Sequence, residues 1–477
     1  MALTGSAWIP ITCAVLAFIA SMGMGGNDVA NSFATSVGAK ALTMKQTVII
    51  ASICEFSGAM LLGSHVTATI KGGIVNGALY KENPNELMFG MLTVVFGCAV
   101  WLIVATFWAL PVSSTHTCIG GMLGMALVSK GLKAVQWKMV LNVILSWFYT
   151  PVIAGIISYC LFVCVRKFIL KVENSFNRSL NFFSPMIGFT LALNFFVTLY
   201  NGCPWFPFTL TMWEAILWSV DICVFITIIL HFCVVPYVRK TTEQAVASQE
   251  KDLQEKLIQP DVEKATEQPA ADKPATDKPK GEKQNVFSSL ESDETVAAIH
   301  SKAETYDAKT EKVFVHLQVL AAILNSFAHG ANDVSHSIGP FAACIAIYQT
   351  GKVDDTSPSP AWILAFGAVG IILGLATMGY RVMATVGVNL VTVTPCRGFF
   401  IELGASVVVI VGSRIGLPLS TTQCKIGSAV GVGLVGGKGS VNWKLSLKIF
   451  TGWVVTIFIA AIASAIVMKI GMWIMHM

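Results

Sequence analysis

The chain has 477 residues, of which 54% are apolar and only 12% charged, and its formal net charge is +5. Soluble globular domains carry about 25% charged residues, so this composition argues against an ordinary soluble domain and for a protein of the lipid bilayer. Its 12 cysteines lie mostly inside apolar runs without CxxC spacing, which reads as small core residues rather than a disulfide framework.

Residues 1–10 hold no Lys or Arg, so no cleavable signal peptide is expected. The first apolar run leads into "GNDVANSFAT", Gly26 to Thr35, which places Asn27, Asp28 and Asn31 in apolar surroundings. Glu55 follows inside "ICEFSGAM", and Leu87 to Leu110 form an uninterrupted apolar run long enough to cross a bilayer. Next comes "LPVSSTHTCIGG", Leu110 to Gly121. Proline is tolerated at a helix start and hydroxyl side chains cap it, so Ser113, Ser114 and Thr115 mark a helix N-terminus. The apolar stretch behind them, Cys118 to Val128, has 11 residues, too few to span a hydrocarbon core of about 30 Å. It is expected to be a re-entrant half-helix, tolerated where backbone is buried in protein or faces water. Trp218 to Val238 form another full span.

Residues 239–312 break the pattern. They hold 12 of the chain's 32 basic and 16 of its 27 acidic residues, with four prolines. Such a stretch buries too little apolar surface to fold well alone, and Gln259 to Gln284 are its least foldable part. The basic "VRK" leading into it, Val238 to Lys240, places it in the cytoplasm. The expected organisation is a transmembrane half over 1–238, a disordered charged cytoplasmic linker over 239–312, and a second transmembrane half over 313–477. About 10–12 spans or half-spans are expected in all, and the fold class is all-α and polytopic.

The halves repeat. Asn332 and Asp333, in "ANDVSHSIGP", match Asn27 and Asp28 at an offset of 305 residues. "LPLSTTQCKIGS", Leu417 to Ser428, matches the first hydroxyl motif at an offset of 307 and supplies Ser420, Thr421 and Thr422. Asn-to-Pro spacing is 84 residues in one half and 86 in the other. Two motifs recurring in order at nearly equal spacing make an internal repeat, as in many secondary transporters. The residues leave the parity of crossings open, and transporter precedent favours inversion.

Acids inside membrane segments cost about 2.5–3.5 kcal/mol on insertion scales and are usually functional. Asp28 and Asp333 are therefore site candidates. Glu55 and Glu402 are candidates that could be neutral, paired or ion-binding. A helix N-terminus offers free N–H groups and a positive dipole end, which suit an oxyanion. Placing that anion beside two aspartates requires accompanying cations, sodium ions or protons. Asn27, Asn31, Ser32 and Asn332 can complete a hard-cation shell of oxygens. Interdependent binding of cation and anion is the thermodynamic basis of symport. His65, His116, His231 and His329 are scattered without zinc or hydrolase spacing, so they read as packing residues and no enzyme is expected. A passive oxyanion channel could use the same helix ends, but it has no need of two buried aspartates.

At "GNDVANSFATSVGAKAL", "CEFSGAMLLGSHVTATI", "PVSSTH", "SFAHGANDVSHSIGP" and "IGLPLSTTQCKIGS" the chain resembles the inorganic phosphate transporter family. The resemblance covers nearly everything except the linker. It implies cation–phosphate symport, two inverted repeats, phosphate bound between the halves, and a homodimer. By it, Ser113, Ser114, Thr115, Ser420, Thr421, Thr422, Asn27 and Asn332 would hold phosphate, and Asp28, Asn31, Asp333, Glu55 and Glu402 the sodium. Co-transported cations are the only cofactors implied. No nucleic-acid partner is expected, and the expected location is the plasma membrane. Three positions depart from the family pattern. Gly25-Gly26 stands where Gly-Ala is usual, His336 occupies the place matching Asn31, and Gln423 the place matching His116.

Overall fold

The computed structural model describes residues 6–201, 210–258, 287, 290, 293–353, 359–414 and 419–475. Gln259 to Gln284, Leu417 and Pro418 lie outside them. Among the described residues the chain is helical, with no strand beyond two isolated bridges. The first half contains α1 (Trp8–Met24), α2 (Ala30–Gly38), α3 (Met44–Gly73), α4 (Pro84–Phe107), α5 (Ser114–Ser129), α6 (Trp137–Val165), α7 (Ser175–Asn201) and α8 (Met212–Ile229). Two helices follow in the stretch around the linker, α9 (Val235–Ile258) and α10 (Glu294–Ser301). The second half contains α11 (Ala308–Asn332), α12 (Val334–Thr350), α13 (Ala361–Met378), α14 (Pro395–Arg414), α15 (Thr421–Leu434) and α16 (Trp443–Met475).

Eight helical stretches among the described residues are long and apolar enough to cross a membrane. Sequence counting gives more candidates, because α1 and α2 form one stretch, Trp8–Gly38, and α11 and α12 another, Ala308–Thr350. The two half-helices, α5 with 16 residues and α15 with 14, are shorter than a full span. The chain is a multi-pass integral membrane protein.

The halves repeat in detail. Ser113 caps α5 by accepting from the His116 N–H at 3.3 Å, and Ser420 caps α15 by accepting from the Gln423 N–H at 3.3 Å. The cap residues share their backbone angles, φ −100 and ψ 120 against φ −95 and ψ 118. Behind each half-helix the chain makes one bridge, Val75 with Val135 and Val391 with Val441. After each bridge an indole N–H donates back five residues, Trp137 to Leu132 O at 3.1 Å and Trp443 to Lys438 O at 2.9 Å.

Packing crosses between the halves. The half-helix α5 lies on α16, and the half-helix α15 lies on α6. Both contacts run backbone to backbone through glycine. A Cβ on Gly124 would stand 2.0 Å from Ala461 O, and one on Gly431 would stand 2.1 Å from Gly155 O. Close approach of this kind is how helices associate where lipid removes the hydrophobic driving force. The first helix of each half likewise packs on the third helix of the other, α1 on α13 and α11 on α3.

The stretch expected as a linker is helical at both described ends. Val296 and Ile299 of α10 are buried. Thr392 donates to Ile299 O at 3.3 Å, and His300 Nε2 lies 2.9 Å from Val388 O. Beyond α10, Glu304 accepts from Nε and Nη2 of Arg166, at 2.7 and 2.8 Å, and pairs with Lys171 at 2.7 Å. Arg166 and Lys171 hold the Glu304 carboxyl down at about 2. These tertiary contacts capture a segment whose composition alone would leave it unfolded.

Candidate functional site

Between α1 and α2 the chain widens into a π-turn, Gly25–Val29, which carries Asn27 and Asp28. Such one-turn bulges concentrate at functional sites. The matching point in the second half is the junction of α11 and α12 at Asp333. Asn27, expected at the phosphate, has its amide committed elsewhere. Its Nδ2 donates to Leu110 O at 2.9 Å, and its Oδ1 accepts from the Val112 N–H at 2.9 Å. It therefore fixes the loop that aims α5. Ser113 and Ser420 are likewise occupied as helix caps.

The remaining hydroxyls meet the aspartates. Thr422 donates to Asp28 Oδ1 at 3.2 Å and Thr421 to Asp333 Oδ2 at 3.2 Å. A single half-helix tip thus holds the acids of both halves. Ser114, which begins α5, is buried and also faces the Asp28 carboxylate, and Thr115 is buried beside it. Ligand atoms of Asp28, His329 and Asp333 all lie within 4.8 Å of one another. Asp28 Oδ2 and Asn31 Oδ1 are buried without a hydrogen-bond donor. Buried oxygens left unpaired in this way cost free energy, and a small hard cation is the partner they fit.

Two further networks reach the same place. His329 Nδ1 lies 2.9 Å from Glu55 Oε2 and its Nε2 lies 2.9 Å from Asp333 Oδ2, so the imidazole joins two carboxylates. Ser326 donates to the other Glu55 oxygen at 2.7 Å. Glu402 accepts from Thr35 at 2.5 Å and also binds Asn325 and the Lys425 ammonium. Both glutamates, expected as sodium ligands, therefore already have partners of the protein's own. His336 stands further off, 3.7 Å from Asp333 Oδ1. A cavity of about 60 Å³ lies among these groups, with Asn31, Ser32, Asn325, His329, Asn332, Thr421 and Lys425 in its lining.

Sequence reasoning missed His329, Lys425 and Asn325. His329 read as a packing residue, although it precedes Asp333 by one helical turn and so shares its face. Lys425 is a lone cation in the Gly-rich apolar stretch of α15. The cost of burying it inside a membrane segment was the available signal.

Residues 24–464 match the family model described as the phosphate transporter family. The chain belongs to that family. It is a family of transporters rather than enzymes. A solved structure described as "The sodium-dependent phosphate transporter" is 30% identical, superposes with a TM-score of 0.75, and covers 98% of this chain and 99% of its own. "Sodium-dependent phosphate transporter 1" of Felis catus is 30% identical, with 92% of each chain covered. A protein of Haemophilus influenzae described as "Putative phosphate permease" is 33% identical, over 94% of this chain and 93% of its own. The motifs of the site, from Asn27 to Thr422, all lie inside the family match.

Proposed function

We propose that the chain carries inorganic phosphate across a membrane together with sodium ions, as a symporter that exposes one central site to each side in turn. The observation that carries this reading is the meeting of Asp28 and Asp333 at the tip of α15, with buried unpaired oxygens beside them. Two carboxylates at a helix N-terminus repel an incoming anion. A sodium ion held by Asp28, Asn31 and Asp333 reverses that sign, and phosphate then binds between the tips of α5 and α15 through Ser114, Thr115, Thr421 and Thr422. Each ligand raises the affinity of the other, so neither travels well alone. The paired half-helix tips and the reciprocal packing of the halves support inverted repeats rocking about this point.

The reading places α10 and the linker on the cytoplasmic face. Helix α10 touches the Lys438–Ser440 turn, and Arg166, Lys171 and Arg397 cluster around Glu304 beside it, which agrees with basic residues collecting on the inside. The plasma membrane is the location proposed, and a homodimer the assembly. The test is uptake of radiolabelled phosphate into proteoliposomes with sodium and pH gradients imposed separately. Concentrative, saturable uptake driven by sodium supports the symporter. Uptake that follows only the phosphate gradient makes it a passive oxyanion channel, and uptake driven by the pH gradient alone makes the proton the coupling ion.

A further inference from the structure

An open groove of about 500 Å³ runs between the end of α4 and the start of α16 and shares no lining residue with the cavity described above. Its walls are Trp101, Trp108, Leu447 and Val455, and Lys444 and Lys448 stand at its mouth. We propose that this groove holds an anionic phospholipid of the surrounding bilayer, with its phosphate between Lys444 and Lys448 and an acyl chain laid along Leu447 and Val455 against the two tryptophans.

Four observations carry the assignment. The lysines are one helical turn apart, so both reach one headgroup. Both are exposed, and the lining contains no acidic residue to neutralise them. The tryptophans are suited to the membrane–water boundary. Trp108 is exposed and turns its ring to the groove, and the buried Trp101 backs it edge to face at 6.3 Å with its N–H used on Thr456 at 2.8 Å. Finally, the groove is not a by-product of the internal repeat. At the matching places of the other half, Val408 replaces Trp101 and Asn142 replaces Lys448. The uncompensated positive charge favours an anionic lipid over a second copy of this chain, which would bring the same basic surface.

Occupancy would bear on the transport site. Leu110 lines the groove, and its carbonyl is the one that Asn27 holds at 2.9 Å. The neighbouring Pro111 carbonyl accepts from Trp453 at 3.2 Å, and Ala109, held by Thr385 at 2.8 Å, has a positive φ of 53. This strained loop aims Ser113 to Thr115. A lipid packed on Leu110 braces it, so lipid composition sets how well the tip of α5 is formed. That consequence for uptake rests on the symporter reading, whereas lipid binding does not.

The experiment exchanges the full-length protein into vesicles of phosphatidylcholine, alone or with a minor share of phosphatidylglycerol, and counts retained lipid by native mass spectrometry. A basic side chain near an anionic leaflet gives roughly a fivefold preference. Wild type is expected to retain phosphatidylglycerol selectively. Lys444→Gln with Lys448→Gln should lower that retention by about twenty-five-fold, and Lys444→Arg with Lys448→Arg should keep it. Sodium-dependent phosphate uptake should rise with phosphatidylglycerol in wild type and become indifferent to it in the glutamine variant, whose uptake in pure phosphatidylcholine is unchanged. Equal retention of both lipids by wild type, or equal retention by wild type and the glutamine variant, overturns the proposal. So does crosslinking of two copies through Leu447→Cys in phosphatidylglycerol vesicles. Uptake failing in every vesicle while selective retention persists would count against the symporter reading and leave the lipid site standing.

Discussion

The two halves of this molecule share their scaffold and differ in their charges. Each has a capped half-helix, a bridge behind it and an indole that closes the turn. Yet the second half carries His329, Glu402 and Lys425 where the first carries Met24, Val95 and Cys118 at the matching positions, all of them buried. The capped tips are thus present twice, while the ionisable groups around them differ: the second half brings His329, Glu402 and Lys425, and the first brings Glu55 and His116.

The most severe test removes the charges that do repeat. Asp28→Asn and Asp333→Asn should each abolish sodium-dependent uptake while elution and thermal unfolding stay near wild type. If only one of them matters, the lopsidedness extends to the aspartates themselves. The next test rewrites the second half in the image of the first. Lys425→Cys alone leaves Glu402 buried without its cation and should cost about 3–5 kcal/mol in unfolding experiments in detergent. Adding Glu402→Val copies the first half's pair and should recover most of that loss, because replacing a buried ion pair by apolar groups is often close to neutral. Uptake by the double variant then shows whether the pair serves transport or only the fold.

A smaller effect is expected at the tips. Losing a hydrogen bond to a charged group costs about 1.5–3 kcal/mol, roughly tenfold to a hundredfold in affinity. Ser114→Ala and Thr421→Ala should each weaken phosphate binding by about that factor. A change in one variant alone would assign the anion to a single half. The smallest effect concerns the join between the halves. The Glu304 carboxyl is held down at about 2 by Arg166 and Lys171, against an ordinary value of 4.5. A depressed carboxyl stabilises above its ordinary value and loses that stabilisation as pH falls toward the depressed one. Hydrogen exchange in Glu294–Ser301 should therefore quicken as pH drops from about 4.5 to about 2, after correction for the intrinsic rate. Glu304→Gln should flatten that response. The pair is partly exposed and screened by solvent, so uptake at neutral pH should change little.

Much of this was legible in the sequence, for a physical reason. Asp28 and Asp333 stand out because charge in an apolar run is costly, and the hydroxyl tips stand out because Pro and Ser have fixed roles at a helix start. Partnerships were not legible. Nothing local tells that Asn27 is spent on the loop at Leu110 and Val112, or that Glu55 meets His329 274 residues later. The helices within residues 239–312 were hidden for the same reason. Their composition gives the free chain too little to bury, and distant residues such as Arg166 and Val388 supply what is missing.

The crossing of the half-helices has a consequence for how the molecule is made. Trp101 of α4 donates to Thr456 of α16, a residue synthesised 355 positions later. At about 5–20 residues per second of translation, the first half would wait on the order of twenty to seventy seconds for its own completion. Throughout that time the glycine face of α5 would lie open in the membrane. Helix α16 therefore completes the seat of α5, and a chain that stops before Trp443 would leave α5 without it, while α15 would still have α6.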